Sequence, residues 1–247
     1  MLRLCESLTE LGFMSADPYA ARISALAKTY GFSYDFALFW VQYDGNGNPV
    51  AAVSRVDGNV NIYCTEKTDF EELKEFVCAV GFSVISCRKE TADKLGFNAS
   101  KTSYIVKYSG IPAPVHECVL WDYDKKSVYR LLRDRGFEMG EFGDFLADFC
   151  SKLNKETAKL AAIANDELDA CASALFIGEK SVLLGAVATR EGAQGNGYAS
   201  KLVKALADSF GDKTVFLFCR NDSLLAFYEK IGFENNGVWV EIMKKEA

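Results

Sequence analysis

The sequence predicts an α/β protein with mixed, mostly antiparallel sheets, built from two similar units. Three observations lead there. Apolar runs of strand length alternate with amphipathic helical patterns. The order of those elements occurs twice along the chain. Between the two series lies S-G-I-P-A-P at 109–114, which holds two of the four prolines and suits a stiff spacer. Units of 1–110 and 111–247 each have ordinary domain size.

In the first unit, residues 1–31 read as helical. Leu2, Leu4, Leu8 and Leu11 precede a break at Gly12, and Asp17-Pro18 supplies an N-cap and a first-turn proline for a second pattern that runs to Gly31. Strand-like runs follow at 36–43, 49–56 and 59–64, joined by the turns D-G-N-G-N and D-G-N. A helix over 69–80 turns Phe70, Leu73, Phe76, Val77 and Val80 inward. A strand at 82–87, a short helix at 91–95 and a strand at 103–108 complete the unit.

The second unit starts with a strand-like run at 115–121 and helices at 125–135 and 142–153. Strands follow at 157–164, 169–177 and 181–188, then a helix at 198–210. A strand at 214–219, a helix at 223–231 and a strand at 237–243 end it. Short echoes accompany the repeated order. F-S-V-I-S-C-R (82–88) is like V-F-L-F-C-R (215–220), and K-L-G-F (94–97) is like K-I-G-F (230–233).

Composition narrows the function. Hydrophobic residues make up 49% and charged residues 25%, with a formal charge of −6. That balance disfavours nucleic acid or an anionic membrane as partner. Glu6 and Glu10 interrupt the N-terminal apolar pattern, and no uncharged run approaches the ~20 residues of a membrane span. Eight cysteines without a C-x-x-C pair, six of them in apolar stretches, suggest a reducing cytoplasmic setting and no metal site. His116, the single histidine, sits at the spacer and reads as structural.

The stretch T-R-E-G-A-Q-G-N-G-Y-A (189–199) carries the chemistry. It joins a buried strand to a helix, where backbone N–H groups and the helix dipole can receive an anion. Gly195 and Gly197 allow a close approach of the backbone. A turn that simply caps a helix is the plain alternative. A dinucleotide fold would show G-x-G-x-x-G tight after the strand, and a triphosphate loop would end in G-K-[ST]. Neither pattern is present. Further on, N-D-S-L-L-A-F-Y-E-K-I-G-F (221–233) follows directly on a strand.

At these motifs residues 115–247 resemble the GCN5-related N-acetyltransferases (GNAT superfamily), and the first half resembles a degenerate second copy in a tandem arrangement. The resemblance implies two GNAT-like units, each a mostly antiparallel sheet with a splayed central strand pair. It implies acetyl transfer from acetyl-CoA, as co-substrate, to an amine by direct attack in a ternary complex. The backbone of Gln194, Gly195, Asn196, Gly197, Tyr198 and Ala199 would hold the pyrophosphate. Val187 and Thr189 would run beside the pantetheine arm, and an N–H at Val187 or Ala188 would polarise the thioester carbonyl. Asn221 would touch the arm, with helix capping as its alternative, and Phe227 would adjoin it. Tyr228 would be the general acid, against the alternative of packing. The general base is not singled out: Glu138, Glu141 and Asp144 are candidates that read rather as the residues of a solvated interhelical loop, and Glu191, beside the glycine loop, is another. In the first half, C-T-E-K-T-D-F-E-E (64–72) places carboxylates where the other half has glycines. That half is expected not to bind CoA and to supply core and one wall of the acceptor site. The competing function is a non-catalytic CoA-binding or protein-interaction module that retains the fold.

Overall fold

A computed structural model describes residues 1–111 and 117–244. In the first half, the elements are β1 (Leu2–Leu4), a 3-10 turn (Leu8–Leu11), α1 (Pro18–Tyr30), β2 (Ala37–Tyr43), β3 (Pro49–Val56), β4 (Asn59–Cys64), α2 (Phe70–Val80), β5 (Val84–Arg88), α3 (Lys89–Leu95) and β6 (Lys101–Tyr108). The second half has α4 (Lys125–Asp134), α5 (Phe142–Asn154), β7 (Lys159–Ala164), β8 (Leu168–Ile177), β9 (Ser181–Thr189), a 3-10 turn (Glu191–Ala193), α6 (Tyr198–Asp208), β10 (Thr214–Cys219), α7 (Asp222–Lys230) and β11 (Phe233–Met243).

The strands form one mixed sheet in the order β1-β2-β3-β4-β5-β11-β6-β10-β9-β8-β7. Its arrangement is nearly two-fold about the β11–β6 pair. Strands β2, β3, β4 and β5 on one side answer β7, β8, β9 and β10 on the other, and each side contains one parallel pair, β4–β5 or β9–β10. The last strand of each half crosses over. β6 pairs with β10, and β11 pairs with β5, while the two pair with each other. The sheet is therefore continuous across the chain's midpoint.

Three layers result. On one face α6 and α7 cover Val182, Leu184, Val215 and Leu217, while α2 and α3 cover Val60, Ile62, Ile85 and Val240. On the other face α1 spans both halves, packing on Phe39 and Val41 and, through Ala21, on Leu183 and Phe216. Helices α4 and α5 close that face over Leu160, Ala162 and Ala188. Leu202, Val203 and Leu206 on α6 are fully buried, each worth roughly 2 kcal/mol of transfer free energy.

Three expectations need correction. Residues 1–7 are not helical, and 8–11 form only a 3-10 turn. Leu2–Leu4 adds an edge strand by pairing with β2, because Leu4 and Leu8 have no helix-wide apolar face to cover and remain exposed. The run 115–121 is not a strand in its described part, where Leu120 makes a single bridge to Ala162. Val115 and His116 lie outside the described residues. Cys78, read as part of an apolar stretch, is exposed on the outer side of α2. Among the described residues no helix is long and apolar enough to cross a membrane, and no three or more His, Cys, Asp or Glu side chains are grouped to hold a metal.

Candidate functional site

Strands β9 and β10 pair in parallel only from Ser181↔Thr214 to Leu184↔Leu217. Beyond Leu184 the two part, and β9 continues alone along β8. There it bulges: Gly185 faces Ser173 and Ala188 faces Cys171, so Ala186 and Val187 oppose the single residue Ala172. Ala186 takes φ +50°, a left-handed conformation that costs a non-glycine residue on the order of 1 kcal/mol. The bulge turns Val187 toward the α6–α7 layer, while Ala188 is buried against α4 and α5. This strained step has no mark in the sequence beyond the small residues G-A around it.

After Thr189 the chain makes its 3-10 turn and reaches α6 through Gln194, Gly195, Asn196 and Gly197, all exposed. Gly195 has φ +82° and Gly197 φ +73°, and open space surrounds both where a Cβ would stand. Glycine is thus required here by backbone conformation, not by crowding. Ala193 is buried and its carbonyl accepts from Asn196 Nδ2 at 3.0 Å, which pins the loop from beneath.

The start of α6 has no side-chain cap and no acid in its first turn. By contrast Asp17, Asp69, Asp124 and Asn221 cap α1, α2, α4 and α7. The amide donors at Tyr198, Ala199 and Ser200 therefore begin a helix with nothing negative on them from the chain itself. That arrangement fits an anionic group such as a diphosphate.

Across the opening stands α7. Tyr228 is 4% exposed, with its ring set edge-on between Phe227 (5.1 Å) and Phe233 (5.6 Å). Its hydroxyl makes no hydrogen bond within the described residues. Burial, with Cys219 nearby, pushes that hydroxyl well above the usual tyrosine range, so it is protonated at neutral pH. Asn221 accepts from Leu224 N–H at 2.9 Å, so its side-chain oxygen is engaged in capping. Leu224, one helical turn before Tyr228, is 38% exposed. Glu138, Glu141, Asp144 and Glu191 are all exposed. β6 of the first half reaches the same end of β10, where Ser103 Oγ donates to the Cys219 carbonyl and Tyr104 Oη donates to Asp222 at 2.5 Å.

Asp169, Arg190 and Asn165 were not singled out from sequence. Asp169 is 3% exposed and accepts from Arg190 Nη2 and Asn165 Nδ2, each at 2.5 Å. Arg190 Nη1 also meets Glu167 at 3.0 Å. An aspartate at the head of an otherwise apolar strand was the available signal.

A splayed parallel pair, an uncapped glycine-led helix start and a buried protonated tyrosine thus belong to one region of the second half. Residues 125–233 match the sequence profile of the Acetyltransferase (GNAT) family, and the second half of the chain carries a domain of that family. No curated protein matches the chain. Solved structures do. A Drosophila protein superposes with a TM-score of 0.65 at 14% identity, covering 98% of each chain. A tandem GNAT protein from the clavulanic acid biosynthesis pathway gives 0.57 at 13% identity, over 98% of this chain and 97% of that one. A GCN5-related N-acetyltransferase from Kribbella flavida gives 0.57 at 12% identity, over 80% and 87%. At these identities the likeness is one of fold, and it extends over both halves.

Proposed function

We propose that the protein is an acyl-CoA-dependent N-acyltransferase that transfers acetyl to an amine, with one active site, in the second half. The observation that carries this reading is the uncapped helix start behind Gly195 and Gly197, set beside the β9–β10 opening with Tyr228 opposite. The amides of 194–199 bind the diphosphate, and β9 from Val187 to Thr189, past the end of its pairing with β10, offers an edge to the pantetheine arm. Bound there, the thioester supplies an acyl group open to attack by an amine.

The chain's own groups then do three things. The bulge at Ala186–Val187 turns a backbone N–H out of the β8 ladder, where it can face the carbonyl oxygen as charge develops on it. Tyr228 donates its proton to the leaving sulfur, a transfer for which its burial keeps the proton in place at neutral pH. The nitrogen of the neutral amine bonds directly to the acyl carbon, the carbon–sulfur bond breaks, and the surplus proton on the new amide nitrogen returns through solvent to the Tyr228 phenolate, so no cysteine nucleophile is needed. Cys219, the thiol near Tyr228, is held protonated by burial, at about 11.

The first half is read as a degenerate copy that contributes β6, α1 and one wall of the acceptor site. The test is consumption of acetyl-CoA over a broad panel of amines by the wild type and by Tyr228→Phe. Turnover that collapses in the variant supports the assignment. CoA binding without turnover on any amine would leave a binding module in its place.

A further inference from the structure

The near two-fold arrangement lets each half serve as a control for the other. The β2–β3 hairpin shifts register between Gln42 and Tyr43, so that Tyr43 faces Pro49. The β7–β8 hairpin does the same between Ile163 and Ala164, so that Ala164 faces Leu168. Downstream, Ala51 faces Cys64 as Ala170 faces Thr189. Val50 thus stands where Asp169 stands, and Thr65 where Arg190 stands. One backbone bond confirms the match: Thr65 N–H donates to the Val50 carbonyl at 3.0 Å, and Arg190 N–H donates to the Asp169 carbonyl at 2.8 Å.

The fold makes this junction in two ways. In the first half the side chains are a valine and a threonine, with Thr65 and Thr68 hydroxyls donating to the Val50 carbonyl at 2.8 and 2.9 Å. In the second half a carboxylate is buried instead, with its guanidinium partner and Asn165 as donors. Burying the carboxylate carries a desolvation cost even with the arginine side chain 41% exposed, and well-packed uncharged residues commonly do as well for stability. The first half shows that this junction folds without it.

The pair sits at the root of the glycine loop. Arg190 is the first residue after β9, and its Nη1 lies 3.6 Å from where a Cβ on Gly192 would be. Its other contacts, to Asp169 and Glu167, tie the loop to the β7–β8 turn, and Asn165 Nδ2 reaches Tyr198 Oη on α6 at 3.5 Å. We propose that Asp169 and Arg190 are positioning residues that set the 190–197 loop for the diphosphate of the acyl donor. This rests on the acyltransferase reading above.

The decisive variant is the double substitution Asp169→Val with Arg190→Thr, which copies the first half's own solution. It is expected to fold, with circular dichroism and melting close to wild type. The KM for acetyl-CoA should rise about tenfold or more, with kcat and the acceptor KM little changed. Acetyl-pantetheine, which lacks the diphosphate, should show no such rise. Should the double variant not fold, Arg190→Lys and Asp169→Asn carry the same measurement, with Arg190→Lys expected to retain only part of the affinity because it loses the planar fork. Folded variants that keep the wild-type KM, or that lose acetyl-pantetheine equally, overturn the inference. Calorimetry with CoA separates the two readings. A wild type that binds no CoA overturns both, whereas variants that bind CoA as tightly as a binding-competent wild type overturn only the positioning role.

Discussion

The two strand-to-helix junctions, 65–69 and 190–197, do opposite things with the same architecture. In the first, Asp69 caps α2 by accepting from Glu72 N–H at 3.1 Å, and Glu71 and Glu72 fill the first turn. The Glu72 carboxylate is in turn held by the N-terminal amine at 2.9 Å, by Gln42 Nε2 at 2.9 Å and by Leu2 N–H at 3.0 Å. Burial opposes its ionisation, yet those donors hold it below the usual carboxylate range. The chain supplies its own anion there. In the second junction two left-handed glycines lead into a helix with no cap and no acid. A helix start can thus be satisfied from within or left open, and the choice lies in three or four side chains.

The difference continues down both clefts. K-L-G-F and K-I-G-F align Ala92 of α3 with Tyr228 of α7, so the first half lacks the hydroxyl as well as the loop. Arg88, aligned with Arg220, is spent on structure. It donates to Asp17 at 2.6 Å and to the Asn236 carbonyl at 2.9 Å, binding the start of α1 to the β11 bulge.

The sharpest way to break this comparison is at Tyr228. Tyr228→Phe should lower kcat by about 10²-fold or more with little change in the KM for acetyl-CoA, as expected for removal of a general acid. Next is the loop. Gly197→Glu should weaken CoA binding by roughly 100-fold, since it adds a carboxylate at an αL position that only glycine adopts freely. Lys67→Glu at the other junction should leave CoA calorimetry unchanged, and an equal loss there would end the one-site assignment.

A pH titration makes a third test. The Arg190 hydrogen bond, with help from Asn165 and against the opposing effect of burial, holds the Asp169 carboxyl below its ordinary range. Its folded pKa lies under the unfolded value of about 3.9, so its contribution is fully present above that value and is lost as pH falls through the folded pKa. Melting temperature should therefore drop below about pH 4, and Asp169→Asn should flatten that slope. The smallest effect is expected at the first junction. Asp69→Ala should cost about 1 kcal/mol of stability by denaturant titration, the usual loss of an N-cap, without altering CoA affinity.

Much of the site could be read locally. Glycines at 195 and 197, the tyrosine seven residues after Asn221 and the carboxylates at 69–72 each express a short-range requirement: positive φ, a helical face, a capped helix start. Ala186 could not be read this way, because an alanine in the left-handed region is imposed by the β8 partner and not by its own preference. Asp169 and Arg190 are 21 residues apart, and only the β8–β9 pairing brings them together. Leu2–Leu4 misled in the same manner, since its apolar spacing suits a helix until the edge of β2 is there to pair with.

The sequence by itself determined the kinds and order of elements, because turn residues, caps and apolar periodicity act within a few residues. It also determined which junction is acidic and capped and which is led by glycines with no acid. Only the tertiary structure decided that β6 and β11 exchange places to join both halves in one sheet. Strand edges expose the same N–H and C=O groups whatever their sequence, so the partner is chosen by packing over the whole chain. That exchange sets β6 of the first half against β10, at the mouth of the site in the second.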